Sequence, residues 1–333
     1  MRVRFSARTH VGMRREVNQD TYESRQFDDA TLLVVCDGMG GHAAGEVASQ
    51  LGARTIIATY TPAALPEASL REAFTTANKA IYNEGHGSMG TTGVAALFLH
   101  NLLYVANVGD SRAYLVREGQ ISQISRDHSF VSDQVDAGLM TPEQARFSNI
   151  RNIITRALGH SAEVEVDLFT VELQAGDTVL LSSDGMHGLI SDEEIAGVAG
   201  FKPLDEAAQS LVDLANERGG TDNITVVIAQ VDELDPLDKV ARSAPATSHS
   251  GAPSPQTAPV ERPLSRVGLA LASLTLLALL GFGGFLLTTL ASSAVAPTPT
   301  AVLAATAAPR PSLTSAPAGT VAPTSSVTAT PAR

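Results

Sequence analysis

Cysteine is almost missing from this chain: Cys36 is the one thiol in 333 residues. No intramolecular disulfide can form, which fits a reducing compartment. No apolar run of signal-peptide type stands near Met1, so no leader is expected there. Basic residues are scarce as well, with 23 Lys and Arg against 35 Asp and Glu and a formal charge of −12. The deficit is uneven. Residues 1–240 carry about 18 basic and about 34 acidic side chains, whereas beyond them Arg242, Arg262, Arg266, Arg310 and Arg333 face only Glu261. An acidic N-terminal part lacks the basic footprint that a nucleic-acid backbone needs, so nucleic acid is excluded as the main partner. Divalent cations are compatible with it.

Charge is absent altogether from residues 267–291, VGLALASLTLLALLGFGGFLLTTLA. As a helix this run would reach about 37 Å, enough to cross a hydrocarbon core of about 30 Å with tilt. Arg262 and Arg266 precede it and no basic residue follows until Arg310. That asymmetry places the N-terminal part in the cytoplasm and the C-terminus outside. The expected organisation is a globular domain over residues 1–234 and a flexible Pro/Ser/Ala linker over 235–266. A transmembrane helix over 267–291 and a disordered Pro/Thr/Ala-rich extracytoplasmic tail over 292–333 complete it. The tail reads as a stalk or as an inert end.

Within the globular part, apolar runs at 32–36, 93–99, 102–108, 113–116, 120–124, 164–171, 178–181 and 224–231 read as strands. Apolar residues at helical spacing mark 43–60, 70–84 and 205–217, with shorter helices at 129–139 and 142–146. His100-Asn101 and Glu118-Gly119 separate strand pairs by two residues, a hairpin signal. The fold class is therefore α+β with antiparallel hairpins.

Five carboxylates stand at marked places in this pattern: Asp20 in VNQD, Asp37 in VVCDGMGGH, Asp110 in NVGDSR, Asp184 in LLSSDG and Asp222 in GGTDNITVV. Asp37, Asp110 and Asp184 directly follow or closely trail apolar runs, and Asp20 and Asp222 stand at turns, Asp222 opening another run. Asp184 and Asp222, each alone, also fit a turn residue that caps its own backbone, and Asp110 a turn carboxylate. Together, carboxylates at the ends of buried strands are costly unless cations neutralise them. Hard divalent cations with oxygen ligands would do so. Gly38-x-Gly40-x-x-Ala43 after a strand matches a dinucleotide fingerprint, but Asp37 before its first glycine would repel pyrophosphate and the hairpins do not build a parallel sheet. No Lys-Ser/Thr follows to make a Walker loop.

The motif set, in order, resembles the metal-dependent protein phosphatases, the type 2C serine/threonine phosphatases of bacteria. It comprises Arg15-x-x-Asn18-x-Asp20, DGMGGHAAGE (37–46), GTT (90–92), GDSRAY (109–114), ITRALG (154–159), SSDG and DNITVV. The likeness spans about residues 4–231. It implies two stacked antiparallel sheets with helices on both outer faces. It also implies hydrolysis of phosphoserine and phosphothreonine by attack of a metal-bridging water. The cofactors would be Mn2+ or Mg2+, two in the core site and a third beside them.

Residue by residue, the resemblance makes Asp37 the bridging ligand, Gly38 a carbonyl ligand, and Asp184 and Asp222 the remaining core ligands. Asp110 would serve the third ion with Asp184, and Asp20 an outer-shell water. Arg15 would clamp phosphate, with Arg14 adjacent as the rival, and His42 would be the general acid or else a residue packed at the helix start. Gln19 departs from the family, many of whose members have Glu there. By the same resemblance the segment 125–152 would be the family's variable flap. Cys36 reads as a buried strand residue, since a cysteine-phosphatase loop would want Arg six residues on, where His42 stands. Partners would be phosphoproteins, with membrane serine/threonine kinases opposed. The alternatives are a non-catalytic phospho-signal sensor or a small-molecule phosphatase on the same fold.

Overall fold

The computed structural model describes residues 1–236, apart from His42 and Ala63. Most of the expected linker, the apolar run at 267–291 and the tail at 292–333 lie outside the described residues. Among the described residues no helix is long and apolar enough to cross a membrane.

Eleven strands and seven helices follow in the order β1 (Arg2–His10), β2 (Asp20–Gln26), β3 (Ala30–Met39), α1 (Ala44–Thr59), α2 (Pro66–Gly85), β4 (Gly90–Thr91), β5 (Gly93–Leu99), β6 (Leu102–Val108), β7 (Arg112–Arg117), β8 (Gln120–Gln123), α3 (Phe130–Asp136), α4 (Pro142–Arg146), β9 (Asp167–Glu172), β10 (Thr178–Ser182), α5 (Asp184–His187), α6 (Asp192–Ala199), α7 (Leu204–Glu217) and β11 (Ile224–Glu233). One sheet runs β1-β11-β10-β7-β8, the other β2-β3-β5-β6-β9 with β4 added to β3. All pairings are antiparallel.

Three apolar layers explain why the central strands read as unbroken runs. Leu33, Val35, Val94, Ala96, Phe98, Leu181 and Val227 pack between the sheets. Leu32, Val34, Cys36, Ala95 and Leu97 point the other way, onto α1 and α2 through Ile56, Leu70, Phe74 and Ile81. Leu180, Val226 and Ile228 face Ile195, Leu211 and Val212 of α6 and α7. Alternate residues thus meet different layers, and both faces exclude water. Each fully buried Leu, Ile or Phe contributes about 1.5–3 kcal/mol. Cys36 is fully buried, as expected.

The hairpin turns carry the backbone they need. His100 and Asn101 have φ of 51° and 65°, and Glu118 and Gly119 of 52° and 78°, the left-handed pair that matches strand twist. Elsewhere the chain departs from the expected pattern. The strand expected over 164–171 starts at Asp167, while Val164 and Val166 pack beside α2 instead. The helix expected over 129–139 is the shorter α3, begun by the Ser129 hydroxyl, which accepts from the Ser132 amide. β1 and β2 were not marked by an apolar run, because each is an edge strand with a polar face.

Candidate metal centre

The five carboxylates come together at one end of the paired sheets. Asp20 is not in a turn: it opens β2, opposite Asp37 in the β2–β3 register. Like charges placed opposite each other on neighbouring strands repel. Asp37 lies within β3 rather than after it. Asp184 is the first residue of the short α5, which follows β10 directly. It is near enough to Asp37 for its charge to be felt at that carboxyl. Asp222 stands in the loop before β11, and Asp110 in the turn between β6 and β7. Asp110, Asp184 and Asp222 line one cavity of about 520 Å³.

Backbone detail fixes these positions. The Asp37 amide donates to Thr92 Oγ1 at 2.9 Å, and its carbonyl accepts from the Thr92 amide at 2.8 Å and Thr91 Oγ1 at 2.9 Å. Ser183 Oγ donates to Asp20 Oδ2 at 2.7 Å and accepts from the Thr225 amide at 3.0 Å. Asp110 is held through His128. The Gly109 amide donates to His128 Nδ1 at 3.0 Å, so Nε2 carries the proton toward Asp167 at 3.2 Å. Burial, first, holds the His128 imidazole below its ordinary pKa.

Glycine is required at two close approaches. A Cβ on Gly38 would stand 2.0 Å from the Gly45 carbonyl, and one on Gly185 would stand 2.0 Å from that of Asn223. The loop carrying Arg15 is stapled by Asn223, whose Nδ2 donates to the carbonyls of Val11 and Val17 at 2.9 and 3.0 Å and whose Oδ1 accepts from the Gln19 amide at 2.8 Å. Arg15 itself, half exposed, donates to Asp222 Oδ2 at 2.7 Å. Gln19 Nε2 reaches the Gly40 carbonyl at 3.4 Å. His42 lies outside the described residues. The roles of Thr92, His128 and Asn223 were not read from the sequence. Thr92 and Asn223 nonetheless sit inside quoted motifs; His128 stands in none and carries no such signal.

The electrostatics decide what the cluster can hold. Burial, followed by the charges of Asp184 and Asp222, raises Asp20 to about 7 despite bonds from Ser183 and Thr225. Burial and then Asp222 raise Asp184 to about 6. Asp37 is pushed well above the carboxylate range by burial and then by Asp20, Asp184, Asp110 and Asp222. Asp110 is raised by burial and then by Asp184. Among the described residues, buried oxygens of Asp20, Asp110 and Asp184 have no hydrogen-bond partner, a costly condition for polar atoms. Among the described residues no three His, Cys, Asp or Glu side chains already close on one point as a metal cage. The donor set is nevertheless all oxygen, desolvated, like-charged and partly orphaned, and it fits hard divalent cations.

Comparison with known proteins agrees with this geometry. The profile of the family described as Protein phosphatase 2C matches residues 6–224. A putative protein phosphatase 2C-type protein of Streptococcus pyogenes is 37% identical over 246 residues, covering 70% of this chain and 99% of the relative. Serine/threonine protein phosphatase PstP of Mycobacterium tuberculosis is 42% identical over 241 residues, covering 70% of this chain and 46% of the relative. The crystal structure of the PstP catalytic domain in complex with two manganese ions superposes with a TM-score of 0.63 at 40% identity, covering 69% of this chain and 99% of that one.

Proposed function

The chain belongs to the protein phosphatase 2C family and is a serine/threonine protein phosphatase; from that premise we propose how its residues hold and hydrolyse a phosphoserine or phosphothreonine side chain. The observation that supports the reading best is Asp20 facing Asp37 across β2 and β3, beside Asp184, with buried oxygens of Asp20 and Asp184 left without a partner.

Asp37, Asp184, Asp222 and the Gly38 carbonyl would hold two Mn2+ or Mg2+ ions. Asp110 with Asp184 would hold a third, and Gln19 and Asp20 border the site. Bound there, the cations supply a water of lowered pKa and neutralise charge on the phosphoryl oxygens. Arg15 exchanges its Asp222 partner for two phosphate oxygens, which a guanidinium grips bidentately. Asp20, fixed by Ser183, orients water at the edge of the cluster. His42 gives a proton to the leaving seryl or threonyl oxygen, a role typically worth about 10²–10⁴-fold.

We further propose, from the sequence of residues 262–291, that the domain is anchored to the inner face of a membrane. Its phosphoprotein substrates would then include membrane serine/threonine kinases and their targets, met at raised effective concentration. Protease access in intact cells tests this orientation: the tail past Ala291 should be cut and residues 1–236 protected. The chemistry is tested by phosphate release from a phosphothreonine peptide by the full chain. Release should stop in excess chelator and return with Mn2+; release that continues unchanged in chelator overturns the reading.

A further inference from the structure

The cavity that holds Asp110, Asp184 and Asp222 has a second wall, built by the segment 125–152. Val131, Val135 and Pro142 give that wall an apolar bed. Four arginines also line the cavity, and they fall into two kinds. Arg112 forms a forked pair with Asp127, its closest contact 2.7 Å, and Arg126 pairs with Asp136 at 2.6 Å. Both thus already have a carboxylate partner. Arg146, at the end of α4, and Arg151 have no ion-pair partner among the described residues, and both are exposed. Arg151 is close enough that its charge is felt at the Asp184 carboxyl, and that of Arg146 at Glu193, which also lines the cavity.

A solvated surface arginine ordinarily needs no explanation. Here two of them border a floor of carboxylates in an acidic domain, while the other two arginines of the same cavity are already neutralised. A peptide whose phosphorylated side chain reaches the floor must lay its neighbouring residues against this wall.

From this arrangement we infer that Arg146 and Arg151 are specificity-determining residues that bind a second anionic group on the phosphopeptide, within a few residues of the one being dephosphorylated. The inference rests on the phosphatase reading above. The shared chemistry is an anion on an extended chain, either an Asp or Glu carboxylate or a second phosphorylated side chain. Guanidinium suits both.

The test uses the full chain with Mn2+ and four substrates. Three are phosphothreonine peptides of one length, with neutral flanks, with Glu flanks, and with a second phosphothreonine. The fourth is p-nitrophenyl phosphate, which has no flank to reach the wall. The wild type should prefer the anionic peptides by about tenfold in kcat/KM, what two partly exposed ion pairs supply. In the double variant Arg146→Gln with Arg151→Gln the preference should fall to within about twofold, through KM, and p-nitrophenyl phosphate turnover should stay within about threefold. Raising ionic strength should erode the wild-type preference in the same way. A larger gain from the second phosphothreonine assigns phosphate as the anion read; equal gains assign charge alone. Equal rates for neutral and anionic peptides in the wild type, with p-nitrophenyl phosphate still hydrolysed, overturn the inference and leave the phosphatase reading standing. A preference that survives in the double variant overturns it too. No hydrolysis of any substrate overturns both.

Discussion

The two ends of β3 make opposite demands on one strand. From Ala30 to Cys36 every residue is buried, alternately between the sheets and beneath α1 and α2. From Asp37 to Met39 the same strand leaves the apolar layers and places a carboxylate opposite Asp20. The first part lowers the free energy of folding by removing Leu, Val and Cys side chains from water. The second raises it by gathering desolvated like charges. A sheet that is dry on both faces is stiff enough to hold that repulsion in place, so the apolar layers supply what the acidic end costs. Stability and chemistry are thus separated along the strand direction, and variants on either side should affect one without the other.

The largest effect is expected at the acidic end. Asp37→Asn keeps the shape and removes the charge. Turnover of a phosphothreonine peptide should fall by about a thousandfold or more, about 4 kcal/mol of transition-state stabilisation. The metal-free protein should melt higher than the wild type, because Asp20 and Asp184 lose a like-charged neighbour. A variant that keeps more than about a tenth of the wild-type rate would remove Asp37 from the centre of the site.

At the apolar side the expectation reverses. Leu180, fully buried beneath α6 and α7, should cost about 3 kcal/mol when cut to Ala, read from urea unfolding. Turnover per folded molecule should change little. A collapse in turnover at full folding would show that the two ends are coupled after all.

The same division explains what the sequence disclosed. Strands dry on both faces appear as unbroken apolar runs, and the left-handed turns at His100-Asn101 and Glu118-Gly119 stand between them, so the sheet interiors and hairpins were readable. β1 (RVRFSARTH) and β2 (DTYESRQ) were not, because edge strands leave polar residues on one face. Without a legible β2, Asp20 reads as a turn residue, and its pairing with Asp37 shows only in the structure. α6 did carry a readable signal, since Ser191 and Glu194 form a reciprocal capping box. The carboxylates were legible as motif members. Their support by Thr92, Ser183, His128 and Asn223 was not, because those contacts join segments up to 212 residues apart.

A titration sharpens the comparison at intermediate magnitude. Asp20 and Asp184 are raised from 3.8 to about 7 and about 6, and Asp37 and Asp110 are raised as well. Groups raised in the folded state give stability that is full below their unfolded pKa and lost as pH rises through the folded one. In chelator, the protein should therefore gain stability as pH falls from 8 to 6.5, about 1 kcal/mol from Asp20 and Asp184, with Asp37 and Asp110 adding in the same sense. Below 6.5 the gain is opposed by His187, a buried imidazole held well below its ordinary pKa by burial and then Arg112, whose contribution is lost as pH falls. Saturating Mn2+ should reverse the slope above 6.5, because cation and proton then compete for the same oxygens. A flat profile in chelator would mean that the carboxylates are not desolvated as described.

The smallest effect is expected from adding one more acid at the border of the cluster. Gln19 follows the Arg15 loop and is anchored by its amide to Asn223, while its side chain reaches the Gly40 carbonyl. Gln19→Glu removes that donor and brings another negative charge beside Asp20. Without metal the repulsion grows, and the melting temperature should drop by a few degrees, about 1 kcal/mol. With Mn2+ the added charge works in the opposite sense, and the apparent affinity should tighten by about threefold, under 1 kcal/mol. The paired signs matter more than either magnitude. A purely structural fault would lower stability in both conditions, and a side chain that does not face the cluster would change neither. Opposite signs, read by thermal unfolding in chelator and by Mn2+ titration, would place position 19 on the acidic side of the boundary that β3 crosses at Asp37.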